Sequence, residues 1–299
     1  MDVVDNSPAS LADRLFGTRK AMLSWAIASL VANIALIVTG ATVRLTASGL
    51  GCDTWPRCND DNYVAHGENG IHTYIEFGNR TLTFVLLAIA ICTVVTARRS
   101  GASRKICTLA LLTLCGIPFQ GVIGGITVLT HLNPWVVALH LLLTIVLVVW
   151  CTHMVLLARD TRLEVLPGHL RMVVVVLFWV LMFAIWVGTA VTGAGPHAGD
   201  LSARRNGLDI LWIARCHSAS VWVSVILTGY LIVQFRRLHH VRATRWSMIL
   251  MGTLLLQGAI GYAQYFNGLP VGLVICHMLG IGLVTTAASW LYHGTRSAA

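Results

Sequence analysis

Eight stretches of the chain stay apolar long enough to cross a bilayer, where one crossing takes roughly 20 residues. They lie at about 22–43, 73–97, 105–128, 134–158, 171–193, 209–234, 246–266 and 270–293. Hydrocarbon offers a backbone no hydrogen-bond partner, so runs of this length must satisfy their own N–H and C=O groups as α-helices. Composition agrees: the 299 residues are 56% hydrophobic and 11% charged, with a mean hydropathy of +0.75, whereas a soluble domain is nearer a quarter charged. The expected fold class is therefore an all-α polytopic membrane protein. Its start, "MDVVDNSPASLADRLFGTRK", is polar and of mixed charge and lacks the basic-then-apolar order of a cleaved signal, so helix 1 is expected to stay in the protein.

A net charge of +9 in a soluble protein would suggest nucleic acid. Here the positions of the charges decide otherwise. Arg14, Arg19, Lys20, the "ARRSGASRK" turn, Arg159, Arg162, Arg171, the "FRRLHHVRATR" turn and Arg296 all fall on one side of the predicted helices. The positive-inside rule makes that side cytoplasmic, with both termini on it. The opposite loops carry Asp53, Asp60, Asp61, Glu68, Asp200 and Asp209. The basicity is topological: the chain faces lipid and is not expected to bind nucleic acid.

Six of the eight cysteines (Cys92, Cys107, Cys115, Cys151, Cys216 and Cys276) lie within apolar helices, where a buried thiol needs no special role. Cys52 and Cys58 share the first outer loop, "SGLGCDTWPRCND". That compartment permits disulfides, and a short loop with Gly51 and Pro56 can bring the two together; the alternative is a pair of free thiols.

The chain repeats itself. "QGVIGGITVLTHLNPWVVALH" (120–140) returns as "QGAIGYAQYFNGLPVGLVICH" (257–277), each ending on a histidine twenty residues after its glutamine. "TGATVRLTASGLG" echoes "VGTAVTGAGPHAG", and "YIEFGNRT" lines up with "WIARCHSA", which sets Asn79 against His217. Two pseudo-symmetric four-helix bundles in the same orientation are expected. Residues 1–21 form an inner segment and 22–158 the amino-terminal bundle, with an outer loop at about 44–72. Residues 159–170 form an inner linker, 171–293 the second bundle and 294–299 a tail.

Depth narrows the reading. His140 follows Pro134 by six residues, His277 follows Pro270 by seven and His217 follows Asp209 by eight. At helical rise all three sit about 9–12 Å below the outer edge of the apolar layer, as does Asn79. One such histidine is as well explained by a hydrogen bond to a neighbouring helix as by function. Two at one level on separate helices point to a shared metal, and axial ligation of haem iron is a common use of that arrangement. A bare zinc site would want more ligands, and no HxxxH or CxxC occurs. Gly78 and the "QGVIGG" and "QGAIG" glycines suit clearance for a flat ring, or equally ordinary close helix packing. Arg80 and Arg215 fall at the same level and suit propionates, or else snorkel to headgroups.

The halves differ in chemistry. The second offers His217 and His277; the first offers His140, Asn79 and, one turn before it, Glu76, where the second half has Ala214. An intramembrane carboxylate suits proton transfer or charge stabilisation, against a structural pairing with Arg80 or Arg44.

With "SGLGCDTWPRC", "IEFGNR", "QGVIGGITVLTHLNPWVVALHLLL", "VGTAVTGAGPHAGD" and the helices of His217 and His277 in this order, nearly the whole chain resembles the haem A synthase family. The resemblance implies a bacterial plasma-membrane enzyme that oxidises a methyl group of haem O to the formyl group of haem A, with water as oxygen source. It implies haem b held by His217 and His277, haem O as substrate facing His140, Glu76 as the catalytic carboxylate, and a Cys52–Cys58 disulfide. Haem O synthase, the assembly of haem–copper oxidases and an electron acceptor of unknown identity are the implied partners. The departure is Asn79, where the family pattern Glu-Xaa-Xaa-His-Arg has histidine; a carboxamide is a poor iron ligand, and His72, roughly 10 Å along the axis, does not simply replace it. Two other classes fit parts of the pattern. A b-type cytochrome that only carries electrons explains the histidines but not Glu76, and a haem or small-solute transporter explains the duplication but predicts no tightly bound chromophore.

Overall fold

The computed structural model describes residues 11–59, 63–64 and 70–298. Asp60, Asp61 and Glu68 of the expected acidic loop, and the first ten residues of the inner segment, lie outside the described residues. The described chain contains α1 (Leu11–Phe16), α2 (Arg19–Leu45), α3 (Ile71–Arg99), α4 (Arg104–Leu129), α5 (Pro134–Ala158), β1 (Glu164–Leu166), α6 (Gly168–Ala194), α7 (Ile210–Arg237), α8 (Val241–Phe266), α9 (Val271–Gly294) and β2 (Thr295–Ser297). Helices α2 to α9 are the eight among the described residues that are long and apolar enough to cross a membrane, as the hydropathy predicts. This is a multi-pass membrane protein.

Local chemistry sets the helix starts. Thr18 accepts from the Ala21 N–H and Asp209 from the Trp212 N–H, so side-chain oxygens take up amides that the first turn leaves unpaired. Asn133 does the same for Trp135, with Pro134 in the first turn, where its missing N–H costs nothing. Within the helices, Thr93, Thr144, Thr152, Ser224 and Thr228 donate to the carbonyl four residues earlier, which satisfies hydroxyls that hydrocarbon cannot.

The helices pack in two rings of four. In one, α2 meets α3 and α5, and α4 meets α3 and α5; in the other, α6 meets α7 and α9, and α8 meets α7 and α9. The rings touch along a seam where α5 meets α9 and α6 while α2 meets α9. Exchanging the halves (α2 with α6, α5 with α9) maps this seam onto itself.

The densest apolar packing lies towards the basic end. Leu170, Leu177 and Leu181 of α6, Leu231 and Phe235 of α7, Leu250 and Leu254 of α8 and Leu291 of α9 fill that half of the second ring. Met22, Ala26, Ala110, Val148 and Met154 do so in the first. Two short strands tie the same end together: β1, in the linker between the rings, pairs in parallel with β2 at the end of the chain. Glu164 of β1 accepts from the Ala243 N–H at 2.7 Å and lies 3.2 Å from His240 Nδ1, fixing the start of α8. Three-residue strands leave no periodic signature, so the linker and tail read as plain segments in the sequence.

At the opposite end the loops interlock. Gly49 N–H donates to Gly199 C=O at 2.8 Å, and the Leu132 side chain packs where a Cβ on either glycine would collide with it. Arg44 on α2 donates to the Thr192 carbonyl of α6 at 2.6 Å. The ends of the two rings are thereby held in register.

Candidate functional site: two histidine rings

In the half of each ring away from the apolar core, histidines sit against glycines. A Cβ built on Gly188 of α6 would lie 3.1 Å from His217 Cε1 on α7. One on Gly261 of α8 would lie 3.6 Å from His277 Cε1 on α9, and one on Gly124 of α4 would lie 3.3 Å from His140 Cε1 on α5. The glycines therefore give clearance to imidazoles directly. Gly124 and Gly261 are the fifth residues of the repeated "QGVIG" and "QGAIG", so this duplicated motif is a seat for the histidine that closes each repeat.

The structure brings His217 and His277 together: their ring centroids are 6.5 Å apart and their planes 74° apart. A metal bonded at about 2.0 Å to a nitrogen of each ring, with roughly 1 Å more from nitrogen to ring centre, separates the centroids by about 6 Å. The spacing fits an axial pair. His217 Nδ1 lies 2.9 Å from the Ala184 carbonyl, the bond that fixes a ligating imidazole's tautomer and leaves Nε2 free. His277 Nδ1 is buried without a hydrogen-bond partner. Such orphaned ring nitrogens are rare in a settled interior and suit a site completed by another group.

At the matching level the other ring holds one imidazole, that of His140. His140 Nδ1 and Asn79 Oδ1 are both buried without partners. Gln120 fixes the helix turn that carries His140: its Nε2 donates to the His140 carbonyl at 3.2 Å and to Thr144 Oγ1 at 3.0 Å. Sequence reasoning saw Gln120 only as the start of a repeat. Its positioning role needs the α4–α5 contact, which no spacing within α4 reveals.

Glu76, 4% exposed, lies below the outer loop. Its Oε2 accepts from the Cys52 N–H at 2.7 Å and its Oε1 from Arg80 Nε at 3.1 Å. Arg80 also donates from Nη2 to Glu76 and to the Cys52 carbonyl, and from Nη1 to the carbonyls of Thr54 and Arg57. These contacts occupy all five guanidinium donors. The i,i+4 spacing folds Arg80 back onto Glu76, and the loop carbonyls take the rest.

Cys52 and Cys58 are buried and joined by a disulfide against Phe77. Trp55, between them, lies where a Cβ on Gly125 of α4 would clash with its indole, so the loop stands over the first ring next to the glycine that seats His140. Sequence reasoning missed Trp55; "GG" at 124–125 is the only signal, and it reads equally well as helix packing. His72 Nδ1 is 2.9 Å from Ser48 Oγ, anchored in the outer loop. Arg215 is exposed on α7, and Gly78 faces open space.

A family model described as "Cytochrome oxidase assembly protein", COX15-CtaA, matches residues 23–200. "Heme A synthase" of Shewanella oneidensis is 24% identical over 334 aligned positions, covering 92% of this chain and 98% of that protein. "Heme A synthase" of Lysinibacillus sphaericus is 35% identical over 121 residues, 40% of this chain and 39% of that protein. "Protoheme IX farnesyltransferase" of Halobacterium salinarum is 34% identical over 95 residues, 32% of this chain and 21% of that protein.

Proposed function

This chain belongs to the COX15-CtaA family of cytochrome oxidase assembly proteins, and we propose that it acts as a haem A synthase in haem A biosynthesis. The reaction oxidises a methyl group of haem O to a formyl group. Water supplies the oxygen, and four protons and four electrons are released. The observation that carries the reading is the inequality of the rings. One faces two imidazoles across 6.5 Å, and the other faces one imidazole, a carboxamide and a buried carboxylate.

His217 and His277 would hold a resident haem b, and their spacing and free nitrogens fit it; when bound, that haem supplies one-electron redox chemistry. His140 would bind the substrate haem O, seated by Gly124 and steadied by Gln120. Glu76 stabilises positive charge as the methyl group is oxidised and accepts a proton from the attacking water. Arg80 holds Glu76 and the loop together, and Trp55 with the disulfide keeps bulk water from the substrate side. Arg215 remains a candidate propionate partner at the edge of the second ring. The basic end is assigned to the cytoplasm of a bacterial plasma membrane, with both termini there. Haem O synthase and haem–copper oxidase assembly are the proposed neighbours, and the match to a protoheme IX farnesyltransferase is in keeping with the first.

The test is haem extraction and chromatography of purified protein from cells with and without a haem O source. Wild type yields haem A; Glu76→Gln keeps its haem b spectrum but accumulates haem O. Normal haem A from Glu76→Gln would remove Glu76 from the chemistry. No haem A from wild type would favour a pure electron carrier, and a colourless preparation a transporter.

A further inference from the structure

The repeat sets Asn79 of α3 where α7 has His217, and the structure records what that exchange does to space. In the second ring, Gly188 is in near contact with the His217 imidazole; its counterpart Gly40 on α2 has nothing within 4 Å of a built Cβ. Asn79 ends short of the reach of an imidazole, and its Oδ1 is buried without a partner, as is Nδ1 of His140, so nothing holds the carboxamide oxygen in place and a half-turn of the amide puts its NH2 there instead. A carboxamide nitrogen has its lone pair delocalised and does not ligate iron, but its N–H groups donate hydrogen bonds. From the reading of this ring as the substrate haem site, we propose that its haem is held by His140 alone. The face towards Asn79 then takes a small diatomic iron ligand, with the Asn79 carboxamide as hydrogen-bond donor to it. The second ring, closed by two imidazoles, takes none.

Carbon monoxide added to dithionite-reduced protein, purified from cells that also make haem O, tests this. Wild type should hold two haems and bind one carbon monoxide for the pair, with a C–O stretching band in the infrared that His140→Ala removes. Asn79→His, which restores the imidazole that α7 carries at the matching position, should keep both haems and lose carbon monoxide binding. Asn79→Ala should keep binding and shift the C–O band, and it serves if the histidine variant does not fold. The inference is overturned if two-haem wild type takes no carbon monoxide, if Asn79→His binds it as wild type does, or if Asn79→Ala leaves the band in place. A preparation with one haem that His140→Ala does not alter would overturn the substrate-site reading itself, and this inference with it.

Discussion

The two rings are built on one plan, and two exchanges in one helix turn separate their chemistry. α7 presents Ala214 and His217 where α3 presents Glu76 and Asn79. In the second ring this leaves two imidazoles facing each other and no carboxylate beside them. In the first, Glu76 takes the Cys52 N–H and recruits Arg80, which holds the carbonyls of Cys52, Thr54 and Arg57, so that ring acquires a cover built from Cys52, Trp55 and Cys58. A duplicated bundle can thus keep its packing while one copy pairs two imidazoles and the other buries an acid beneath a disulfide loop.

The sharpest way to break this comparison is to remove one member of the imidazole pair. His217→Ala or His277→Ala should lower haem b content at least about tenfold, as metal sites lose that much even when outer-shell partners are removed. The pyridine haemochrome assay on purified protein reads this, and full retention would show that the pair is structural. The disulfide comes next. Cys52→Ser opens a short covalent loop and should lower stability by about 2 kcal/mol. Thermal unfolding would locate the loss, and haem b held by the second ring should be unchanged. Matched glycine variants sharpen the contrast further. Gly188→Ala pushes a Cβ to 3.1 Å from His217 and should perturb the haem b spectrum, whereas Gly40→Ala, with nothing within 4 Å, should leave both spectrum and yield intact. The most local effect is expected from Gln120→Leu, which removes two donated hydrogen bonds at about 1 kcal/mol each. Its signature should be altered haem O conversion with haem b content unchanged.

Eight helices, their approximate ends and the level of His140, His217 and His277 were legible in the sequence. Hydrocarbon imposes length and self-satisfied hydrogen bonding, and helical rise turns residue counts into depth. The unequal halves were legible too, because a repeat supplies its own reference: Ala214 against Glu76 and His217 against Asn79 need no coordinates. The pairing of β1 with β2 was not, since three-residue strands carry no pattern and their partners lie far apart in the chain. Nor was the fate of Arg80, for an arginine at that level suits a propionate or a headgroup until the loop carbonyls of Cys52, Thr54 and Arg57 are seen to claim it. The sequence by itself determined what is apolar, how deep each polar group sits and where the two copies disagree, because these follow from solvent and helix periodicity. Only the tertiary structure decided which side chains meet: His217 with His277, Gly124 with His140, Trp55 with Gly125 and Arg80 with Glu76 beneath the disulfide loop. Those meetings depend on the rotation of each helix about its axis and on how a loop folds back, and both are set by packing between segments distant in the chain.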